Sequence, residues 1–88
     1  MAGDAKTGAV EAIEAKVMKF VCAEFGQQDL DVCQPLFSSG LLDSLDSLEV
    51  ILFVESEFSI SIDPFALGID DLDSVAQIAG LVIDRLNQ

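Results

Sequence analysis

Apolar residues recur at helical spacing in three stretches of the chain. The first runs from about Gly8 to Phe25, where Val10, Ile13, Val17, Phe20, Val21 and Cys22 interleave with Glu11, Glu14, Lys16 and Lys19. Gly26 follows it, at the C′ position that glycine favours. The second runs from about Leu45 to Glu57 or Phe58. Leu45, Leu48, Ile51, Leu52 and Phe58 form one stripe, and Val50, Phe53 and Val54 widen it around nearly the whole circumference. That pattern predicts the most buried helix of the fold. The third starts at a capping residue, Asp73 or Ser74, and continues to about Leu86 with Val75, Ile78, Ala79, Val82, Ile83 and Leu86 inward. Gly80 within it costs about 1 kcal/mol against Ala, which a close helix–helix approach would explain.

The connections carry their own signals. Residues 1 to about 7 are small and polar, which predicts a frayed end. Gln27 to Asp43 reads as a long loop, because Pro35 and Gly40 resist a continuous helix. Leu30, Val32, Leu36, Phe37, Leu41 and Leu42 make it too apolar for a free linker. It is therefore expected to lie across the helices, add to the core and position something. Ser59-Ile60-Ser61-Ile62 alternates like a strand but is short and isolated, so it is expected to be an extended connection. Asp63-Pro64 signals a short helix through Phe65, Ala66 and Leu67, ended by Gly68, and Ile69 to Leu72 can add another turn. The expected fold class is all-α.

Composition narrows the possibilities. The 88 residues suit one small domain, 1–88, which buries only roughly 60% of its unfolded surface. The apolar fraction of 51% is enough for a core despite a net charge of −12. With no Trp or Tyr, that core falls to Phe and the aliphatics. Sixteen acids face Lys6, Lys16, Lys19 and Arg85, which argues against nucleic acid or an anionic membrane as partner. Proteins with basic patches are favoured instead. The absence of histidine removes His-based acid–base and nucleophilic chemistry and His-containing zinc sites. Cys22 and Cys33 make no disulfide framework, and Cys22 reads as a small core residue. Met1-Ala2-Gly3-Asp4 lacks the basic start of a signal peptide, and no apolar run is long enough for a bilayer. A cytoplasmic monomer is expected.

The chain is organised around Gly40-Leu41-Leu42-Asp43-Ser44-Leu45-Asp46-Ser47-Leu48-Glu49-Val50-Ile51, a loop entering a helix. Asp43 and Ser44 both have oxygen-bearing side chains suited to capping it. Taken alone, Ser44 reads as a plain N-cap. The longer run resembles the acyl and peptidyl carrier proteins, through Asp43-Ser44-Leu45, Glu49, Glu55-Ser56-Glu57-Phe58 and Ile60-Ser61-Ile62. The resemblance covers roughly Leu36 to Leu86. Gly40 to Ser44 is similar to discrete carriers of the D-alanyl and peptidyl type, and Asp46 with the acidic second helix is similar to fatty-acid carriers.

That resemblance implies a four-helix carrier bundle with a long loop between helices 1 and 2 and a short third helix. It implies a carrier on which enzymes act, not an enzyme. A phosphopantetheinyl transferase would attach 4′-phosphopantetheine from coenzyme A to Ser44, between Asp43 and Leu45. The arm would hold acyl or aminoacyl groups as thioesters for fatty-acid, polyketide, peptide or specialised lipid biosynthesis. Asp46, Glu49 and Glu55 would dock on basic patches of the loading and condensing enzymes. The phosphodiester is expected near free backbone N–H groups at the helix N-terminus. Ser47 repeats the Asp-Ser-Leu triplet, but choosing it would place the arm one turn inside the helix.

Two other readings stand beside this one. The acidic second helix could belong to an interaction domain that carries nothing. Asp70, Asp71 and Asp73 could belong to a divalent-cation module. An EF-hand loop begun at Asp43 places Leu45, and one begun at Asp71 places Val75, where oxygen ligands belong.

Overall fold

Ile13, Val17 and Val21 lie four residues apart and are buried along one line of the first helix, α1, Ala2–Phe25. The computed structural model describes residues 2–63 and 67–87, with side chains at 9–63, 67–68 and 70–87. The backbone of α1 starts at Ala2, ahead of the start near Gly8 that the apolar pattern gives. Ala2, Ala5 and Lys6 are good helix formers, and they carry the backbone upstream of the first core residue. Gly26 ends the helix at φ 67°, and the N–H of Gln27 donates to the carbonyl of Cys22 at 3.1 Å. This is the left-handed closure expected of a glycine at that place.

α2, Ser44–Phe58, buries Val50, Ile51 and Val54. The expectation that it is the most buried helix is wrong. Leu45, Leu48 and Leu52 are 72%, 50% and 65% exposed. At roughly 100° per residue the leucines and the buried set centre on opposite sides of the helix. One face meets the core, and the leucine stripe is surplus to it. α2 ends at Ser59, a left-handed residue at φ 55°, where the N–H of Ile60 donates to the carbonyl of Glu55 at 3.2 Å.

The most buried helix is α3, Val75–Leu86, which packs against α1. Val75, Ile78, Ala79 and Val82 lie fully inside it. Leu86 is 50% exposed and so falls outside the inner face predicted for it. Gly80 is exposed, and a Cβ there would meet nothing within 4 Å, so no close helix contact explains this glycine. A single 3₁₀ turn, Ile69–Leu72, precedes α3 and seats the buried Leu72. Among the described residues the fold is all-helical, with three α-helices and no strand. Ile60 to Ile62 is neither helix nor strand, as expected of a connection, but Ser59 is the left-handed end of α2 rather than its first extended residue. The short helix predicted from Asp63-Pro64 falls on 64–66, outside the described residues.

The core is aliphatic rather than aromatic. Leu36 and Leu42 of the long loop join the helix residues inside, as their hydropathy predicts. The described phenylalanines only border the core. Phe20 of α1 and Phe53 of α2 stack with centroids 4.1 Å apart, and Phe58 meets Phe53 edge-on at 6.3 Å. They line the α1–α2 seam, where Lys16 also pairs with Glu57 at 3.3 Å. No helix among the described residues is long and apolar enough to cross a membrane.

Candidate functional site

Leu42 anchors the entry to α2. Its side chain is buried and its N–H donates to the carbonyl of Leu36 at 2.8 Å. The next residue, Asp43, is the N-cap. Its Oδ1 accepts from the N–H of Leu45 at 3.0 Å and of Asp46 at 3.1 Å. Asp46 reciprocates, with Oδ2 accepting from the N–H of Asp43 at 3.0 Å. This is a capping box with aspartates at both corners, and it holds the N–H groups of Asp43, Leu45 and Asp46, donors that a helix start otherwise leaves open.

Asp43 alone therefore does the capping that the sequence offers to Asp43 or Ser44. Ser44 is the first residue of α2 and is exposed. Its hydroxyl takes no part in the cap. Ser47 is turned differently: its Oγ donates to the carbonyl of Ser44 at 2.6 Å, and the residue is half-buried in the first turn. The two Asp-Ser-Leu triplets thus present one hydroxyl to solvent and tie the other to the backbone. The expectation of free N–H groups for a phosphodiester needs correction. Those of Leu45 and Asp46 are already held by Asp43, so the dipole field of the helix remains but those two donors do not.

The predicted docking residues separate. Glu49 is exposed and lies on the rim of an open hollow of about 320 Å³, beside Phe20, Glu24, Leu52 and Phe53. Asp46 is half-buried by its capping role. Glu55 is half-buried too, and its Oε2 accepts from the N–H of Ile62 at 2.8 Å, which holds the extended connection against α2. Glu55 is a poor docking carboxylate for that reason. Leu45, next to Ser44, heads the exposed leucine stripe with Leu48 and Leu52. Cys33 is exposed and Cys22 is half-buried, both as free thiols.

Asp71 and Asp73, two of the three aspartates weighed as cation ligands, have other work. Asp71 Oδ2 accepts from the N–H of Gly68 at 3.0 Å. Asp73 reaches back to the loop before the site. Its Oδ1 accepts from the N–H groups of Phe37 at 2.7 Å and Ser38 at 3.0 Å, and its Oδ2 accepts from Ser38 Oγ at 2.6 Å. The hydroxyl of Ser38, then the backbone N–H groups of Ser38 and Phe37, hold its carboxyl below the usual range. Ser74, the other capping candidate, caps α3 by accepting from the N–H of Gln77 at 3.1 Å. The sequence does offer a signal for the Asp73 contact: two capping residues in tandem before one helix leave one of them spare.

Among the described residues the site is thus an exposed serine at the first position of α2, beside a cap made by two aspartates. No family model matches the chain. It is similar to the D-alanyl carrier proteins of Streptococcus pyogenes serotype M5 (strain Manfredo), serotype M49 (strain NZ131) and serotype M1, at 40% identity over 45 residues in each case. The similarity covers 51% of this chain and 57% of each relative, so it spans little more than half their length. It supports the resemblance to carrier proteins read from the residues around Ser44.

Proposed function

We propose that the chain is an acyl or aminoacyl carrier whose arm is attached at Ser44. One observation carries this reading: the Ser44 hydroxyl stands exposed at the start of α2, while Asp43 and Asp46 do the capping a serine there would otherwise do. In the attachment reaction Ser44 Oγ loses its proton to a base of the transferase and forms a bond to the pantetheine-bearing phosphorus of coenzyme A. The pyrophosphate bond breaks, and adenosine 3′,5′-bisphosphate leaves. Histidine-free, the carrier relies on the transferase for that base. The arm's terminal thiol supplies the group that holds cargo as a thioester. The names of the similar proteins put an aminoacyl cargo first. Fatty-acid, polyketide, peptide and specialised lipid pathways are the wider class.

The whole chain serves as one carrier domain on this reading. Its fold is the four-helix carrier bundle, with the 3₁₀ turn Ile69–Leu72 in the part that holds the short third helix. Enzymes with basic patches dock along α2. Glu49 supplies the exposed charge, Asp46 a partly covered one, and Leu45, Leu48 and Leu52 the apolar contact that the core leaves unused. The test is intact mass after incubation with coenzyme A and a broad-specificity phosphopantetheinyl transferase. Wild type gains one arm and Ser44→Ala gains none. Folded wild type that gains nothing from two different transferases sinks the reading, and belief moves to an interaction domain that uses the same leucine face.

A further inference from the structure

The loop that delivers the chain to Ser44 is fastened from a distance. Four hydrogen bonds run from Leu36, Phe37 and Ser38 to one residue, Asp73, at the entrance to α3. The N–H of Leu36 donates to the Asp73 carbonyl at 2.7 Å. The N–H groups of Phe37 and Ser38 and the Ser38 hydroxyl fill both carboxylate oxygens. Nearby, the N–H of Ala76 donates to the carbonyl of Val32 at 2.8 Å, so the first turn of α3 is tied to the same loop.

From that anchor the path to Ser44 is short and closed. Leu36 is fully buried, and its carbonyl accepts from the N–H of Leu42. Between them Gly40, at φ 87°, turns the chain, and its N–H donates to the carbonyl of Phe37 at 3.1 Å. Ser39 Oγ donates to the carbonyl of Pro35 at 2.6 Å. Leu42 leads directly to the Asp43 cap and Ser44. The segment 36–42 is thus a closed loop with one end pinned to Asp73 and the other fused to the start of α2.

We propose that Asp73 is a positioning residue for Ser44: by holding Leu36, Phe37 and Ser38 it keeps the loop 36–42 in the one arrangement in which a modifying enzyme reads Ser44. The inference rests on the carrier reading of Ser44. A transferase must recognise the serine together with the loop beside it, because the serine itself is one hydroxyl on an exposed turn. Loop conformations that do not match subtract from the competent population. If release of Asp73 lowers that population to about one tenth, the apparent affinity for the transferase falls about tenfold. The chemistry at Ser44 Oγ, once bound, is unchanged. The effect belongs in KM and not in kcat.

The experiment is steady-state transfer from coenzyme A by one transferase, with full-length carrier as the varied substrate. Wild type, Asp73→Ala, Ser38→Ala and Asp71→Ala are compared. Amide hydrogen exchange at Phe37 and Ser38 is followed by NMR in each. Asp71→Ala removes the same charge two residues away from a carboxylate that bonds Gly68, outside the loop. The expected result is a KM about tenfold higher for Asp73→Ala at unchanged kcat, with faster exchange at both amides. Ser38→Ala, which removes only the Oδ2 bond, raises KM about two- to threefold and keeps the question open to test should Asp73→Ala fail to fold. Asp71→Ala matches wild type. An unchanged KM in Asp73→Ala despite faster exchange overturns the proposal. So does a fall in kcat alone, or an equal rise in KM for Asp71→Ala, which would make net charge the cause. Wild type that accepts no arm overturns the carrier reading and this inference together. Normal transfer to wild type with equal KM in every variant overturns only this inference.

Discussion

Replacing Asp43 and Ser44 one at a time by alanine separates a residue that holds the helix from one that is merely at its start. Asp43 Oδ1 accepts two first-turn N–H groups, at 3.0 and 3.1 Å. Asp43→Ala leaves both without that partner, and loss of an N-cap costs about 1 kcal/mol, within a range of 0.5–2. For a domain of this size each kcal/mol lowers Tm by about 4–8 °C. Ser44→Ala removes an exposed hydroxyl that takes no part in the cap and adds a residue of higher helix propensity. Its effect should lie within about 0.5 kcal/mol of zero, with stabilisation as the favoured sign. Thermal unfolding followed by circular dichroism at 222 nm reads both. The expected pattern is a clear fall for Asp43→Ala and none for Ser44→Ala. An equal fall for Ser44→Ala would show that the serine is structural after all, and the main argument for its release to chemistry would go.

Other consequences follow from the same contacts. Gly80→Ala should stabilise the protein by about 1 kcal/mol, because the new Cβ meets nothing within 4 Å and the helix loses its weakest residue; a lower Tm would mean that α3 needs the glycine for a reason its surroundings do not show. Asp73 has a folded-state pKa below its ordinary 3.8, so its contribution is present above that value and is lost as pH falls through the folded one. The Tm gap between wild type and Asp73→Asn should therefore hold steady above about pH 5 and close in stronger acid; a gap that closes near neutrality would assign the effect to another group. Raising ionic strength from about 0.01 to 0.15 M shortens the Debye length from roughly 30 to 8 Å. With a net charge of −12, Tm should rise over that range, and an unchanged Tm would mean that carboxylate repulsion is negligible.

Much of the fold was legible because burial on one side leaves a periodic trace. Ile13, Val17 and Val21 in α1 and Val75, Ile78, Ala79 and Val82 in α3 stand where the spacing put them. Leu36 and Leu42 entered the core because a loop that apolar has nowhere else to go. The same logic failed in α2, where too many apolar residues erase the period. The pattern cannot tell that Val50, Ile51 and Val54 face inward while Leu45, Leu48 and Leu52 face solvent. That distinction depends on which side α1 and the loop happen to cover. Of the Phe and aliphatic residues expected to fill the core, the aliphatics take the centre, while Phe20 and Phe53 stack across a seam at its border.

Within the candidate site, the helix entrance was visible from Asp43 and Ser44, but not their division of labour. Either side chain can cap, and the bonds from the N–H groups of Leu45 and Asp46 to Asp43 Oδ1 decide it. The tether from Asp73 spans 35 residues to Ser38; the tandem Asp73-Ser74 signals a spare capping residue, but not the distant loop it holds. Glu55 looked like one more surface acid on α2. Its bond to the N–H of Ile62 depends on how the chain turns after Ser59, a left-handed serine that no glycine announced.

The central claim is that Ser44, and not Ser47, takes the arm. Fragmentation mass spectrometry of the peptide that spans both serines tests it most directly, after treatment of wild type with coenzyme A and a transferase. One phosphopantetheine is expected on Ser44 and none on Ser47, whose hydroxyl is tied to the Ser44 carbonyl. An arm on Ser47, or none on this peptide while the protein is folded, would contradict it.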